Sequence, residues 1–183
     1  MTGRDEGPNL MLIDDDQDCL DLNEAMLERE GLFNIKTTTE QEEVIDEVES
    51  SWADAVVSDY DMPEIDGLEL LEDVREIDDE LPYMLLTGRE REEFSEEDLE
   101  KVTRYYQKDG KPETYEEIAH TVANEVERYR KLQAAGKVVG NHSGPTLVIN
   151  DKLNITSANE ALAEVIDEEV HDIEGEDISA VND

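Results

Sequence analysis

Three aspartates, a threonine and a lysine stand directly after short apolar runs. Asp14 and Asp15 follow LMLI, with Asp16 beyond; Asp59 follows AVVS, with Asp61 two residues on; Thr87 follows YMLL and Lys108 follows YYQ. Brought into one pocket, Asp14, Asp15 and Asp59 repel: at an effective dielectric near 20 and ~4 Å, each carboxylate pair costs about 4 kcal/mol. Such a cluster must hold a cation or take up protons. Oxygen ligands with room for several waters suit Mg2+. A carboxylate beside Mg2+ is a weak nucleophile whose natural chemistry is attack on a phosphoryl group, giving an acyl phosphate. A Lys supplies a point positive charge and a hydroxyl can donate to a phosphoryl oxygen. Lys108 and Thr87 are those residue types.

The elements that must position these residues alternate along the chain. LMLI reads as a buried strand, followed by a helix through Cys19, Leu22, Met26 and Leu27 that Gly31 ends. FNIKT, DAVVS, YMLL and RYYQK read as four further strands. Helices are expected at Thr39 to Glu49, at Leu68 to Glu76, weakly at Ser95 to Glu100, and from Pro112 onward, proline favouring the first turn. The stripe of that last helix is Tyr115, Ile118, Ala119, Val122, Val126 and Tyr129. Five strand-helix units predict an α/β fold, a parallel sheet with helices on both faces. In such sheets the site lies beyond the carboxyl ends of the strands, where the candidate residues stand. A first strand placed between the second and third brings Asp14, Asp15 and Asp59 together.

Acidity is the bland explanation for any aspartate here. The 183 residues carry 52 Asp and Glu against 15 Lys and Arg, a formal charge of -37. The acids are interspersed with apolar residues at helical or strand spacing, which argues against disorder. A high-salt cytoplasm, where self-repulsion is screened, accounts for such a surface. No basic patch is visible, so direct contact with nucleic acid or an anionic membrane is not expected. Partners are expected to be metal cations or proteins. No apolar run is long enough to span a bilayer, and one cysteine excludes an internal disulfide, so the expected location is the cytoplasm.

LMLIDDDQD, VVSDYDMPEIDGLELL, PYMLLTG and YYQK, in this order and at this spacing, resemble the receiver domain of two-component response regulators. The resemblance covers residues 8–134, and the acidic composition suggests a haloarchaeal source. It implies a flavodoxin-like five-stranded sheet of order 2-1-3-4-5. It also implies that Asp59 is the phosphoacceptor and that Asp15, Asp59 and the backbone carbonyl of Asp61 bind Mg2+, with Asp14 helping through water. Thr87 and Lys108 contact the phosphoryl group, and Tyr105 is the switch aromatic. The implied donor is a phosphohistidine on a sensor histidine kinase, and the implied output is a changed surface on the last helices, through which a homodimer could form. Two departures stand out. KDG replaces the usual proline after the lysine, so no cis peptide is expected there, and the Asp61 side chain is placed to influence acyl-phosphate lifetime.

Residues 135–145 (AGKVVGNHSGP) read as a linker. Residues 146–183 resemble the first half of a PAS sensor domain: strand, turn, strand, a helix begun by NEA. Two competing readings remain. A haloacid-dehalogenase-type Mg2+ phosphatase shares the Asp-x-Asp strand end of DYD but carries its nucleophile on the first strand. A binding module that is never phosphorylated would keep its partners after Asp59→Asn. The receiver is not expected to turn over substrates as an enzyme does. Cys19 is expected in the core; His120, His142 and His171 lack metal-ligand spacing, and Tyr106 and Trp52 have no assigned chemistry.

Overall fold

The computed structural model describes residues 7–140, 144–150, 153–166, 170–173 and 175. The chain divides into two units, Met1–Tyr129 and Arg130–Asp183. In the first unit, β1 (Asn9–Ile13), β2 (Asn34–Thr38), β3 (Ala55–Ser58), β4 (Tyr83–Thr87) and β5 (Arg104–Gln107) alternate with α1 (Gln17–Glu28), α2 (Gln41–Glu49), α3 (Gly67–Ile77), α4 (Glu96–Lys101) and α5 (Pro112–Gly140), which belongs to this unit as far as Tyr129. The strands form one parallel sheet of order β2-β1-β3-β4-β5, the doubly wound order expected.

Period-two alternation in the central strands builds two apolar layers. Leu10, Leu12, Ala55, Val57, Met84 and Leu86 face α1 and α5. Met11, Ile13, Val56, Tyr83 and Leu85 face α2 and α3. Because β1, β3 and β4 are covered on both sides, their sequences are nearly continuous apolar runs. Start signals fix the helices. Asp16 accepts from the amides of Asp18 and Cys19 to cap α1. Asp66 and Glu69 form a reciprocal capping box at α3, and Ser95 caps α4.

Three expectations change. On α1 the buried face is Leu20, Asn23 and Leu27, while Leu22 is half exposed and Cys19 only partly buried. A polar residue occupies the core stripe because the Tyr115 hydroxyl donates to Asn23 Oδ1 at 2.7 Å, satisfying both groups inside the α1–α5 layer. Asn23→Leu therefore leaves a buried hydroxyl unpaired and is expected to cost about 1–3 kcal/mol. Adding Tyr115→Phe should recover most of it in urea unfolding at high salt. On α5, Tyr115 through Val126 pack against α1, but Tyr129 turns to the other layer and donates to Asp78 Oδ2 at 2.7 Å. Finally, α5 continues to Gly140, through the first part of the stretch expected as linker. Gln133, Ala134 and Ala135 are strong helix formers, and neither Gly136 nor Gly140 stops the helix before its end.

In the second unit, β6 (Leu147–Ile149) and β7 (Ile155–Ala158) pair antiparallel, followed by α6 (Glu160–Ile166) and α7 (Val170–Ile173). Buried Asn159 ties the unit together. Its Oδ1 accepts from the amides of Thr146 and Leu162, and its Nδ2 donates to the Gly144 carbonyl. Ile155, Ala158, Ala163 and Ile173 form a small core. His142 lies outside the described residues. Among those described, no helix is long and apolar enough to cross a membrane.

Candidate functional site

Register brings the acids together. Ile13 pairs with Ser58 across β1 and β3, so Asp14 and Asp59 emerge side by side at the carboxyl edge of the sheet. The Asp59 amide donates to the Ile13 carbonyl at 2.9 Å, extending that ladder. Asp14, Asp15 and Asp59 each offer a carboxylate oxygen, all within 4.8 Å of one another; Asp14 and Asp59 are buried and Asp15 is exposed.

Lys108 arrives from the far side of the sheet. Its amide donates to the Thr87 carbonyl at 2.8 Å, continuing the β4–β5 pairing by one residue. Its ammonium lies 2.5 Å from Asp14 Oδ2 and 3.1 Å from Asp59 Oδ1. Burial alone would push this ammonium down, but the hydrogen bond to Asp14 and the charges of Asp59 and Asp14 outweigh it, and the Lys108 pKa is raised. Among the described residues, Asp59 Oδ1 has that neighbouring charge but no well-directed hydrogen bond. A buried carboxylate oxygen so exposed to a cation, in a set of hard oxygen donors, fits Mg2+ held by Asp14, Asp15 and Asp59.

No proline is needed at the turn after Lys108. The peptide bonds of the described residues are all trans, and Gly110 supplies a left-handed φ of 67°. Asp109 closes the turn by accepting from the Lys111 amide at 3.0 Å and its ammonium at 2.7 Å. The hydrogen bond from the Lys111 side chain, with backbone and Thr114 hydrogen bonds, holds the Asp109 carboxyl down to about 2. A depressed value stabilises the folded turn above the ordinary carboxylate range and is lost as pH falls toward 2. An NMR titration should find the Asp109 carboxyl still ionised at pH 3.

The loop after β3 is held from beneath. The Ser58 hydroxyl donates to the Asp59 carbonyl at 2.6 Å, and the fully buried Tyr83 hydroxyl donates to the Gly67 carbonyl at 2.7 Å. The Gly67 amide donates to the Tyr60 carbonyl at 3.0 Å. Gly67 is required by packing: a Cβ there would sit 2.4 Å from the Asp59 carbonyl oxygen and 2.8 Å from Leu85 Cδ2.

The other candidate residues are placed around this pocket. Thr87 is fully buried at the end of β4, and its hydroxyl accepts from the Arg89 amide at 3.3 Å. Tyr105 is partly buried, its hydroxyl donating to the Arg89 carbonyl at 2.5 Å. The Asp61 carboxylate turns away from the acids and pairs with the Arg89 guanidinium, which reaches it through Nε at 3.0 Å and Nη2 at 2.5 Å. Sequence reasoning passed over Arg89, Ser58 and Tyr83. His120 is exposed on α5. Trp52 lies under the Lys36 ammonium, 4.0 Å from its ring centroid, and Tyr106 packs on the α1–α5 layer.

A doubly wound sheet with three acids, a hydroxyl and a lysine at its carboxyl edge defines a class of domain that manages phosphoryl groups. The model of the response regulator receiver domain family matches residues 10–123, and the chain belongs to that family. It is similar to the phosphoglycerate transport system transcriptional regulatory protein PgtA of Salmonella typhimurium (38% identical over 80 residues, 44% of this chain and 19% of that protein). It is also similar to the response regulator SaeR of Staphylococcus aureus (31% over 84 residues, 46% of this chain and 36% of that protein). The chain thus matches only about a fifth to a third of these relatives' lengths. Among solved structures, a CheY-like receiver domain protein from Methanospirillum hungatei aligns at TM-score 0.57 and 22% identity, covering 68% of this chain and 99% of that one. The response regulator TrrA of Thermotoga maritima, in complex with Mg2+-BeF, aligns at 0.57 and 24%, covering 63% and 98%. These two likenesses establish the shared fold. The family match supports phosphorelay signal transduction and does not favour the phosphatase reading.

Proposed function

We propose that Asp59 is the phosphoacceptor of a phosphorelay and that a sensor histidine kinase supplies the phosphoryl group. The observation that carries this reading is the position of Lys108 between the buried carboxylates of Asp14 and Asp59 at the sheet edge. A carboxylate oxygen of Asp59 attacks the phosphorus of a phosphohistidine. The P–N bond breaks, the imidazole nitrogen keeps the electron pair, and an aspartyl phosphate forms. Lys108 and the Thr87 hydroxyl are the donors for the phosphoryl oxygens, with no reorganisation of charge required at the moment of transfer. Asp14, Asp15, Asp59 and the backbone carbonyl of Asp61 would hold Mg2+, which when bound supplies positive charge against the transferring group.

Asp59 is modified once per cycle and water later hydrolyses the acyl phosphate to inorganic phosphate, restoring the carboxylate, so the chain is a signalling domain rather than a turnover enzyme. Tyr105 and the last helix carry the signal onward, to a second copy of the chain or to the PAS-like unit that follows. The acidic surface suits a cytoplasm rich in salt. Incubation with Mg2+ and a small acyl-phosphate donor in high salt tests the reading. Uptake that plateaus at one phosphoryl group per chain is expected; continuous phosphate release from many phosphoesters would instead identify a phosphatase.

A further inference from the structure

Two hydroxyls interrupt the apolar layer between the sheet and α3. Tyr83 lies in that layer with Val56, Leu70 and Leu85, and Ser58, two residues after Val56 on β3, shares its face; both are fully buried. The Tyr83 hydroxyl donates to the Gly67 carbonyl and the Ser58 hydroxyl to the Asp59 carbonyl. Burial pushes the Tyr83 hydroxyl pKa up, and the neighbouring Ser58 hydroxyl acts in the opposite direction. A buried phenol is costly unless it is hydrogen-bonded, and an apolar side chain would fill the layer without that cost. The bonds that Tyr83 and Ser58 make both end on the segment that carries Asp59.

Gly67 joins the two bonds at one peptide. Its amide donates to the Tyr60 carbonyl at 3.0 Å, which also accepts from the Met62 amide at 3.1 Å. Its Cα packs so closely that a Cβ would stand 2.4 Å from the Asp59 carbonyl oxygen. The Asp59 carbonyl is thus held by Ser58 and pressed by the first residue of α3, and Tyr83 fixes that residue. We propose that Tyr83 is a positioning residue for phosphoryl transfer: acting through Gly67, and together with Ser58, it fixes the Asp59–Tyr60 peptide from the core side and so aims the Asp59 carboxylate. Both hydroxyls bond backbone and neither bonds the reacting carboxylate, so they act on geometry alone. Geometry matters here because misplacing a reacting group by about 1 Å can cost up to ~10²-fold in rate. The same peptide sets the start of the loop that reaches Asp61, so Mg2+ affinity depends on it as well. This deepens the reading of Asp59 as phosphoacceptor and rests on it.

The test compares Tyr83→Phe, Ser58→Ala, their double variant and Tyr129→Phe in the full chain, in high salt and well below each urea midpoint. Tyr129→Phe is the control. It removes a tyrosine hydroxyl bond at the other end of α3, where Tyr129 donates to Asp78, the residue that closes the helix. Without metal, hydrogen exchange of the Met62 and Gly67 amides should rise several-fold in Tyr83→Phe and Ser58→Ala and stay at the wild-type rate in Tyr129→Phe. Mg2+ affinity, titrated with no phosphoryl donor present, should fall several-fold in the same two variants. With saturating Mg2+ and a small acyl-phosphate donor, their maximal rate of uptake should fall about tenfold while the donor concentration for half-saturation stays unchanged. The double variant should lose less than the product of the single losses, because both hydroxyls act on one peptide. Wild-type uptake and Mg2+ affinity in folded Tyr83→Phe, or equal losses in Tyr129→Phe, would overturn the positioning role and leave the phosphoacceptor reading standing. If Tyr83→Phe does not fold, Ser58→Ala decides by the same readouts. Failure of the wild-type chain to take up any phosphoryl group would overturn the phosphoacceptor reading and with it the role in transfer.

Discussion

Gly67→Ala should unfold the domain at markedly lower denaturant and slow phosphoryl uptake in whatever remains folded. The added Cβ would stand 2.4 Å from the Asp59 carbonyl oxygen, 2.8 Å from Leu85 Cδ2 and 3.1 Å from the Tyr60 Cα. Two of those neighbours are backbone, and the third belongs to a fully buried strand residue, so none can yield cheaply. Overpacking of this kind costs about 1–3 kcal/mol, and a rigid backbone oxygen puts this site at the upper end. Relief requires moving either the start of α3 or the loop that carries Asp59. The Tyr83 and Ser58 hydroxyls pin that loop from below, so movement also breaks buried hydrogen bonds. Urea unfolding and the rate of phosphoryl uptake should therefore fall together. Gly88→Ala is the control, because a Cβ there meets nothing within 4 Å; unchanged stability in both variants would refute the packing argument.

Lys108→Ala should separate two functions of one ammonium. It lies 2.5 Å from Asp14 Oδ2 and 3.1 Å from Asp59 Oδ1, where it neutralises carboxylates that a divalent cation would otherwise claim. Its removal ends that competition, and Mg2+ affinity is expected to rise about tenfold, equivalent to ~1.4 kcal/mol. Phosphoryl uptake should nevertheless fall roughly 10²-fold, the usual cost of losing one preorganised donor to a transferring group. Tighter metal binding with slower transfer is the signature. A parallel loss of both would mean that Lys108 merely holds the pocket together.

The site was legible because its residues are marked by position as well as by type. In a chain with 52 acids, an aspartate alone says little, but Asp14, Asp59, Thr87 and Lys108 all stand where an apolar strand stops. The same alternation predicts a parallel sheet covered on both sides, since β1, β3 and β4 are apolar on both faces, while its order is what the resemblance to receiver domains implies. What escaped depends on partners distant in sequence. Arg89 sits in TGRER, which reads as a solvated loop, and its grip on Asp61 spans 28 residues. Its only signal was a cation two residues past Thr87 in a chain poor in cations. Asn23 broke the α1 stripe because its partner, Tyr115, is 92 residues away. Periodicity favoured Leu22, which the structure leaves half exposed. The continuation of α5 to Gly140 was hidden by glycines that punctuate loops more often than helices.

The most direct measurement locates the modified residue. The wild-type chain and Asp59→Asn are incubated with Mg2+ and a small acyl-phosphate donor in high salt, reduced with borohydride, and mapped by peptide mass. An acyl phosphate on Asp59 should be recovered as homoserine at position 59 in the wild type only, with one phosphoryl group in the unreduced intact mass. Reduction at another carboxylate, or equal phosphoryl uptake by Asp59→Asn, would contradict the assignment of Asp59 as phosphoacceptor.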